Sequence, residues 1–187
     1  MSDTIDTWRK DHANFSQLLD LLEADLRLFH EQRTPNYELM RDIIYYMTHC
    51  PDLFHHPKED IVFSIVKKID ASATSVVDDL MHQHVILRES GAKLLDNLEG
   101  AIAGAMLART SIEAPGQTYI SYFRNHMSKE EGEIFPLALK LLSDMDWCDV
   151  DAAVPSVADP LFGESVQTRY LTLHQHIARK TGCACRE

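Results

Sequence analysis

Apolar residues recur along most of residues 5–143 at alternating steps of three and four. That is the spacing of one helix face, not the every-second-residue spacing of a half-buried strand. In the first segment Trp8, His12, Phe15, Leu19, Leu22 and Leu26 form such a stripe. The second segment has two parts, 37–49 and 53–69, and in the later part His55, Glu59, Val62, Val66 and Ile69 share a face. Pro51 lies between the parts and lacks a backbone donor, so the spacing predicts a kink or break there. A third segment, from about Ser75, carries Val77, Leu80, His84, Leu87, Gly91, Leu94 and Leu98. After a loop at 105–114, closed by Pro115 and Gly116, a fourth carries Tyr119, Phe123, His126, Glu130, Ile134, Leu137 and Leu141. Its step before Ile134 is four where three would be regular. These stripes predict an all-α chain with an antiparallel four-helix bundle over residues 1–145. A short C-terminal helical extension and tail follow at 146–187, with a last helix at 165–181 presenting Val166, Tyr170, Leu173 and Ile177 to the bundle.

The stripes are not purely apolar, and the exceptions carry the chemistry. His55 and Glu59, like His126 and Glu130, are four residues apart, which on a helix sets two side chains ~40° apart, one turn above the other. Both members of such a pair can reach one metal ion. With His12 and His84 on the other two stripes, imidazoles and carboxylates converge on one point of the core. A single core histidine is ordinarily a hydrogen-bonded structural residue, and a single buried glutamate an ion-pair partner. Burying each unpaired polar group costs ~1–3 kcal/mol, and a charge costs more, so a set converging from four helices requires compensation. A pair of metal ions supplies it. Imidazole nitrogen with carboxylate oxygen suits iron, with manganese and zinc as weaker fits.

Not every histidine belongs to this set. His82 lies ~200° around the helix from His84 and is expected to face solvent, as are His30, His174 and His176. His56, ~100° from His55, can line the site's edge or bind; His49, one turn earlier, is a second reserve. Glu131 competes with Glu130, but its spacing of five from His126 turns it ~140° away.

Charge and composition narrow the function. The 187 residues hold 29 acids against 18 Lys and Arg, a net charge of −11, and no basic stripe, which argues against a nucleic-acid partner. No apolar stretch approaches the ~18 residues a membrane span needs, and the start shows no leader, so a cytoplasmic protein is expected. Cys50, Cys148, Cys183 and Cys185 are too few and scattered for a disulfide framework.

The stretches KDHANFSQLLDLLE, CPDLFHHPKED, LMHQHVILRE and YISYFRNHMSKEEGEIFPLA, with DWCDVDAA and DPLFG in the tail, are those in which the chain resembles the bacterial hemerythrin-like, HHE cation-binding family. The resemblance spans roughly 5–163. It implies an antiparallel four-helix bundle with a non-haem, oxo- or hydroxo-bridged di-iron centre that binds dioxygen, nitric oxide or peroxide. His12, His55, Glu59, His84, His126 and Glu130 fall where family ligands stand. Oxygen carriers of the family place His-x-x-x-His on the third helix, whereas here residue 80 is Leu and residue 88 is Arg. The resemblance allows a further ligand from the second helix, His56 or His49. The carriers' fourth-helix acid, five residues after the histidine, corresponds to Glu131.

These departures point away from oxygen carriage and towards sensing or stress response. The alternative is a di-iron enzyme for peroxide or nitric oxide detoxification, or an iron donor for cluster repair. The expected partners are a small diatomic ligand or peroxide. Tyr45, Tyr46 and Tyr122 near the ligand turns are candidates for redox or proton transfer, with aromatic core packing as the plainer reading. Cys183 and Cys185 form a weak candidate thiol pair, and an output domain does not fit within the length.

Overall fold

The computed structural model describes residues 3–154 and 157–180, so Cys183 and Cys185 lie outside the described residues. Among the described residues every regular element is helical and there is no strand. Helix α1 spans Asp3–His30. Helix α2 (Tyr37–Cys50) starts where the Asn36 side chain accepts the Leu39 amide at 3.0 Å. It runs through a π-turn at Pro51–His55 into α3 (His56–Ile69). Helix α4 is Thr74–Ile102, and α5 (Thr110–Lys129) runs through a second π-turn, Glu130–Ile134, into α6 (Phe135–Leu141). Helix α7 (Asp144–Ala153) opens on a Ser143–Asp146 capping box, and α8 is Leu171–Lys180. No helix of the described residues is long and apolar enough to cross a membrane.

The kink or break expected at Pro51 takes the form of a widened turn: α2 ends at Cys50, the π-turn opens on Pro51 and α3 takes over at His56. Three other sequence expectations are corrected. Both π-turns follow one rule: the His56 amide bonds the Pro51 carbonyl immediately before Pro57, and the Phe135 amide bonds the Glu130 carbonyl immediately before Pro136. A proline has no hydrogen for the carbonyl four residues back and crowds it, and one extra residue in the turn relieves both problems. The extra residue is the irregular step before Ile134, and it also shifts the register beyond: Ala138 and Leu142 are buried, while Leu137 and Leu141 are half-buried. Helix α5 starts at Thr110, not after the proline. Pro115 is tolerated inside it because the Asn97 side chain donates at 2.8 Å to the Ser111 carbonyl, the acceptor that proline cannot serve. Finally, Ile69, at the end of α3, is 50% exposed.

Helix α4 packs on α2, α3 and α5, and α1 packs on α5 and α2, so the four helical runs enclose one interior. That interior is stratified. One apolar cluster holds Phe15, Leu19, Leu22, Met47, Leu87 and Phe123, and another holds Trp8, Val62, Phe63, Leu80, Ile134 and Phe135. Between them each run contributes polar residues: His12, then His55, His56 and Glu59, then Gln83 and His84, then His126 and Glu130, all buried. The C-terminal segment joins both clusters, through Trp147 and Val150 in one and Leu161, Tyr170, Leu173 and Ile177 in the other.

The α2–α4 crossing depends on a missing side chain. A Cβ at Gly91 would lie 2.4 Å from Thr48 Cγ2, and Thr48 cannot move easily because its hydroxyl donates to the Ile44 carbonyl at 2.8 Å. Gly91→Ala should therefore lower the melting temperature even though alanine favours helix by ~1 kcal/mol, since overpacking costs ~1–3 kcal/mol. Adding Thr48→Ser, which removes only the clashing methyl, should recover most of the loss. An unchanged or raised melting temperature in Gly91→Ala alone would contradict the close crossing.

Candidate metal centre

In the polar layer the inner Nε2 atoms of the histidines surround two carboxylates. His55 Nε2 is 3.1 Å from Glu59 Oε1 and 3.1 Å from His12 Nε2. His12 Nε2 also lies 3.8 Å from Glu59 Oε1 and 3.5 Å from Glu130 Oε2. On the other side His84 Nε2 is 3.6 Å from Glu59 Oε2 and 3.4 Å from Glu130 Oε1, and His126 Nε2 is 3.0 Å from Glu130 Oε1. Each carboxylate thus turns one oxygen to each side. The side chains fall into overlapping groups whose ligand atoms lie within 4.8 Å of one another: His12, His55 and Glu59; Glu59, His84 and Glu130; and His56, His84 and His126.

The outer Nδ1 atoms fix the rings. Asp11 accepts from His55 Nδ1 at 3.1 Å, Asp60 from His84 at 2.8 Å, Gln83 from His126 at 3.1 Å and Glu131 from His12 at 2.8 Å. These contacts close a ring: α1 orients a histidine of the first π-turn, α3 one on α4, α4 one on α5, and the second π-turn one on α1. Each orienting residue is the sequence neighbour of a site residue on its own run. His56 instead uses Asp52 of its own π-turn, at 2.9 Å. The other Asp52 oxygen accepts from Arg88 Nε at 3.3 Å. Arg88 therefore helps to hold His56 through Asp52. Gln83 Nε2 donates to Asp79 at 2.9 Å, which leaves its oxygen towards His126.

An ionised carboxylate only accepts, so these partners put the ring proton on Nδ1 and aim five bare Nε2 lone pairs at the interior. There the close approaches leave Glu59 Oε1 and Oε2, Glu130 Oε2 and His126 Nε2 without an aligned hydrogen bond, all fully buried. Converging lone pairs and buried anionic oxygens fit cations and nothing else. In a metal-free chain protons take that role. Burial opposes charging His55, but Glu59 and Asp11 outweigh it and push its pKa up to about 10. Burial likewise opposes charge on His84, yet Asp60 and Glu130 raise it to about 9. His12 is raised against burial by Glu59, and Glu59 is held well below the carboxylate range, also against burial, by His55 and His12. Glu130 is lowered, against burial and the Glu59 charge, by His126 and His84. His56 is pushed well below its ordinary value by burial and then by His84, whose ring stacks on it at 4.1 Å.

The donor set, five imidazole nitrogens and two carboxylates, fits a two-ion centre with three histidines on one side and two on the other. The sequence of the hemerythrin HHE cation binding domain matches residues 3–138. The chain belongs to the hemerythrin HHE cation-binding family. No curated protein and no solved structure matches it.

Set in that family's frame, His12, His55, Glu59, His84, His126 and Glu130 are brought together, and His56 joins them. His49 is not: its Nδ1 donates to the Tyr45 carbonyl at 2.8 Å and its ring stacks on Tyr45 at 3.8 Å, with Arg169 on that ring's other side. Glu131 stands outside the layer, 43% exposed, as the orienting partner of His12 and not among the inner oxygens. His82 is exposed as expected. The spacing argument missed Asp11, Asp52, Asp60 and Gln83, whose partners are set by packing between helices, although each lies within four residues of an inner residue.

The raised histidines give a signed pH dependence. The stability that protonated His55 and His84 give the metal-free chain is complete below their ordinary value of 6.5 and is lost as pH rises through about 9 and 10. Above that the buried glutamates are left uncompensated. The melting temperature of metal-free protein should therefore fall from about pH 7 to about pH 10, while ion-loaded protein, whose cations are not titrated away, should fall less. Parallel curves for the two forms would show that the layer's charges are not coupled to the histidines.

Proposed function

We propose that the chain is an antiparallel four-helix bundle holding two iron ions, and that it binds or reacts with dioxygen, nitric oxide or peroxide in sensing or stress response in the cytoplasm. The observation that carries this reading is the buried layer of five inward Nε2 atoms around two carboxylates that each span both halves. Short connections between long helical runs support the antiparallel order. The residues that would hold them are His12 and His55 in one half and His56, His84 and His126 in the other, with Glu59 and Glu130 facing both. Bound there, a pair of iron ions supplies reversible one-electron chemistry and a coordination position for a small ligand. The chain's own residues set that position between two apolar clusters, and the Nδ1 partners keep every imidazole in the ligating tautomer.

The half with two histidines has the lower donor count and is where an exogenous ligand fits. The third helix carries His84 alone, with Leu80 and Arg88 at the two places where the carriers' His-x-x-x-His could put a second histidine, and His56, held by Asp52, supplies a ligand in its stead, unlike a reversible carrier.

Protein loaded anaerobically with ferrous iron should hold about two ions per chain, and His56→Ala should weaken the binding of one of them by about 10–100-fold or more while His49→Ala retains both. Equal loss in both variants, or no stoichiometric metal in helical wild-type protein, would contradict the assignment. On exposure to dioxygen the reduced protein should end in a ferric state that persists when oxygen is withdrawn. Full return to the reduced spectrum over repeated cycles would instead establish carriage.

A further inference from the structure

The chain has two tryptophans, and they touch each other. Trp8, on α1, packs edge-on against His55 with ring centroids 6.0 Å apart, and Trp147, on α7, packs edge-on against Trp8 at 6.4 Å. His55 is an inner residue of the candidate metal centre. Helix α7, which packs on α3, lies beyond the family match that ends at residue 138, and the metal centre assigns it no role. Trp147 is buried in that helix, while Met145 and Cys148 beside it are exposed. Two indoles in contact therefore connect a histidine of the centre with a surface helix.

An indole can give up one electron and recover it without breaking a bond in its ring, and the surroundings of Trp147 suit that use. Indole nitrogen only donates, and Trp147 Nε1 is fully buried with no hydrogen-bond partner among the described residues. An oxidised ring with no acceptor for its proton stays a radical cation, which can be reduced again without waiting for a proton. The local charge favours such a cation. Helix α7 carries Asp144, Asp146, Asp149 and Asp151, and no lysine or arginine occurs between Lys140 and Arg169; against these acids stands Lys58, paired with Asp151 at 3.7 Å.

A second aromatic line runs from His55 through Phe15 to Tyr46, with centroids 5.3 and 6.4 Å apart. It is a poorer route on two counts. The phenyl ring of Phe15 is too hard to oxidise, and the Tyr46 hydroxyl donates to Asp159, so oxidation there requires a proton to move.

We propose that Trp8 and Trp147 form a relay that carries electrons one at a time from the α7 surface to the metal centre, so that the chain reduces hydrogen peroxide at the expense of an external one-electron reductant of the class of ascorbate. The proposal rests on the metal-centre reading for its electron acceptor. Hydrogen peroxide takes up two electrons and two protons, its O–O bond breaks, and two waters leave. Each electron passes from Trp8 to the centre, from Trp147 to Trp8 and from the reductant to Trp147, and no bond forms or breaks at either indole.

The metal-free full-length chain isolates the relay. Photogenerated tris(bipyridine)ruthenium(III), a cationic one-electron oxidant, should produce the transient absorption of a tryptophan radical in wild type and in Trp8→Phe. Trp147→Phe should lose it, because Trp8 is reached through Trp147. In ferric iron-loaded protein hydrogen peroxide should generate a radical whose electron-spin-resonance lines narrow when the tryptophans are ring-deuterated. Trp8→Phe and Trp147→Phe should each lose the ascorbate-dependent part of peroxide consumption with iron content unchanged. If either variant does not fold, fluorinated tryptophan, close to the same shape and harder to oxidise, makes the same test at both positions. A metal-free wild type without a tryptophan radical, a Trp147→Phe chain that keeps it, a peroxide-generated radical insensitive to tryptophan deuteration, as Tyr46 would give, or wild-type ascorbate dependence in the folded variants would overturn the proposal. Iron-loaded wild-type protein that does not react with peroxide would defeat the metal-centre reading, and the photochemical result would still decide whether the relay exists.

Discussion

Two glutamate side chains with no solvent exposure, Glu59 and Glu130, sit at the middle of a helical core, and most of the structure answers that constraint. A buried carboxylate is tolerated only with compensating positive charge and satisfied oxygens. Among the described residues no Lys or Arg is buried in this layer. It provides imidazoles whose proton is drawn outward by polar partners, so that the interior becomes a basin of lone pairs. The layer therefore belongs to cations: protons when metal is absent and metal ions when it is present. Apolar clusters flank the layer on both sides, which lowers the local dielectric and strengthens the charge interactions within it.

The ring of orienting contacts explains how four separate helices agree on one geometry. Asp11, Asp60, Gln83 and Glu131 each reach from one run to a histidine on the next, and the last returns to the first. A rotation of any helix therefore disturbs two histidines, the one it carries and the one it orients. His56 breaks the pattern because its partner is local, and Arg88 ties that partner to α4. Three of the carboxylate partners are partly exposed, so the ring also connects the sealed layer to solvent protons.

The all-helical character and the six residues that come together in the core were legible because helices of ordinary pitch repeat every 3.6 residues, and His12, His55, Glu59, His84, His126 and Glu130 keep step with their apolar neighbours. His56 was harder to place because constant pitch turns it ~100° from His55, and pitch is not constant there. Pro57 and Pro136 each follow a widened turn, and the uneven step before Ile134 was the visible trace of one of them. Pro115 misled in the opposite direction. It was read as closing the loop, whereas the Asn97 amide lets α5 run through it. Asp11, Asp60 and Gln83 were not legible from periodicity, since each faces a histidine on a different run and only packing brings the two together.

The proposed function depends on cations occupying the layer in two places, one on each side of the carboxylates. Anomalous scattering at the iron edge from crystals of iron-loaded protein measures this directly. Two peaks about 3.5–4 Å apart are expected, one beside His12 and His55 and the other beside His56, His84 and His126. A single peak, or density in the layer without anomalous signal, would contradict it and leave the histidines and glutamates to satisfy one another through protons alone.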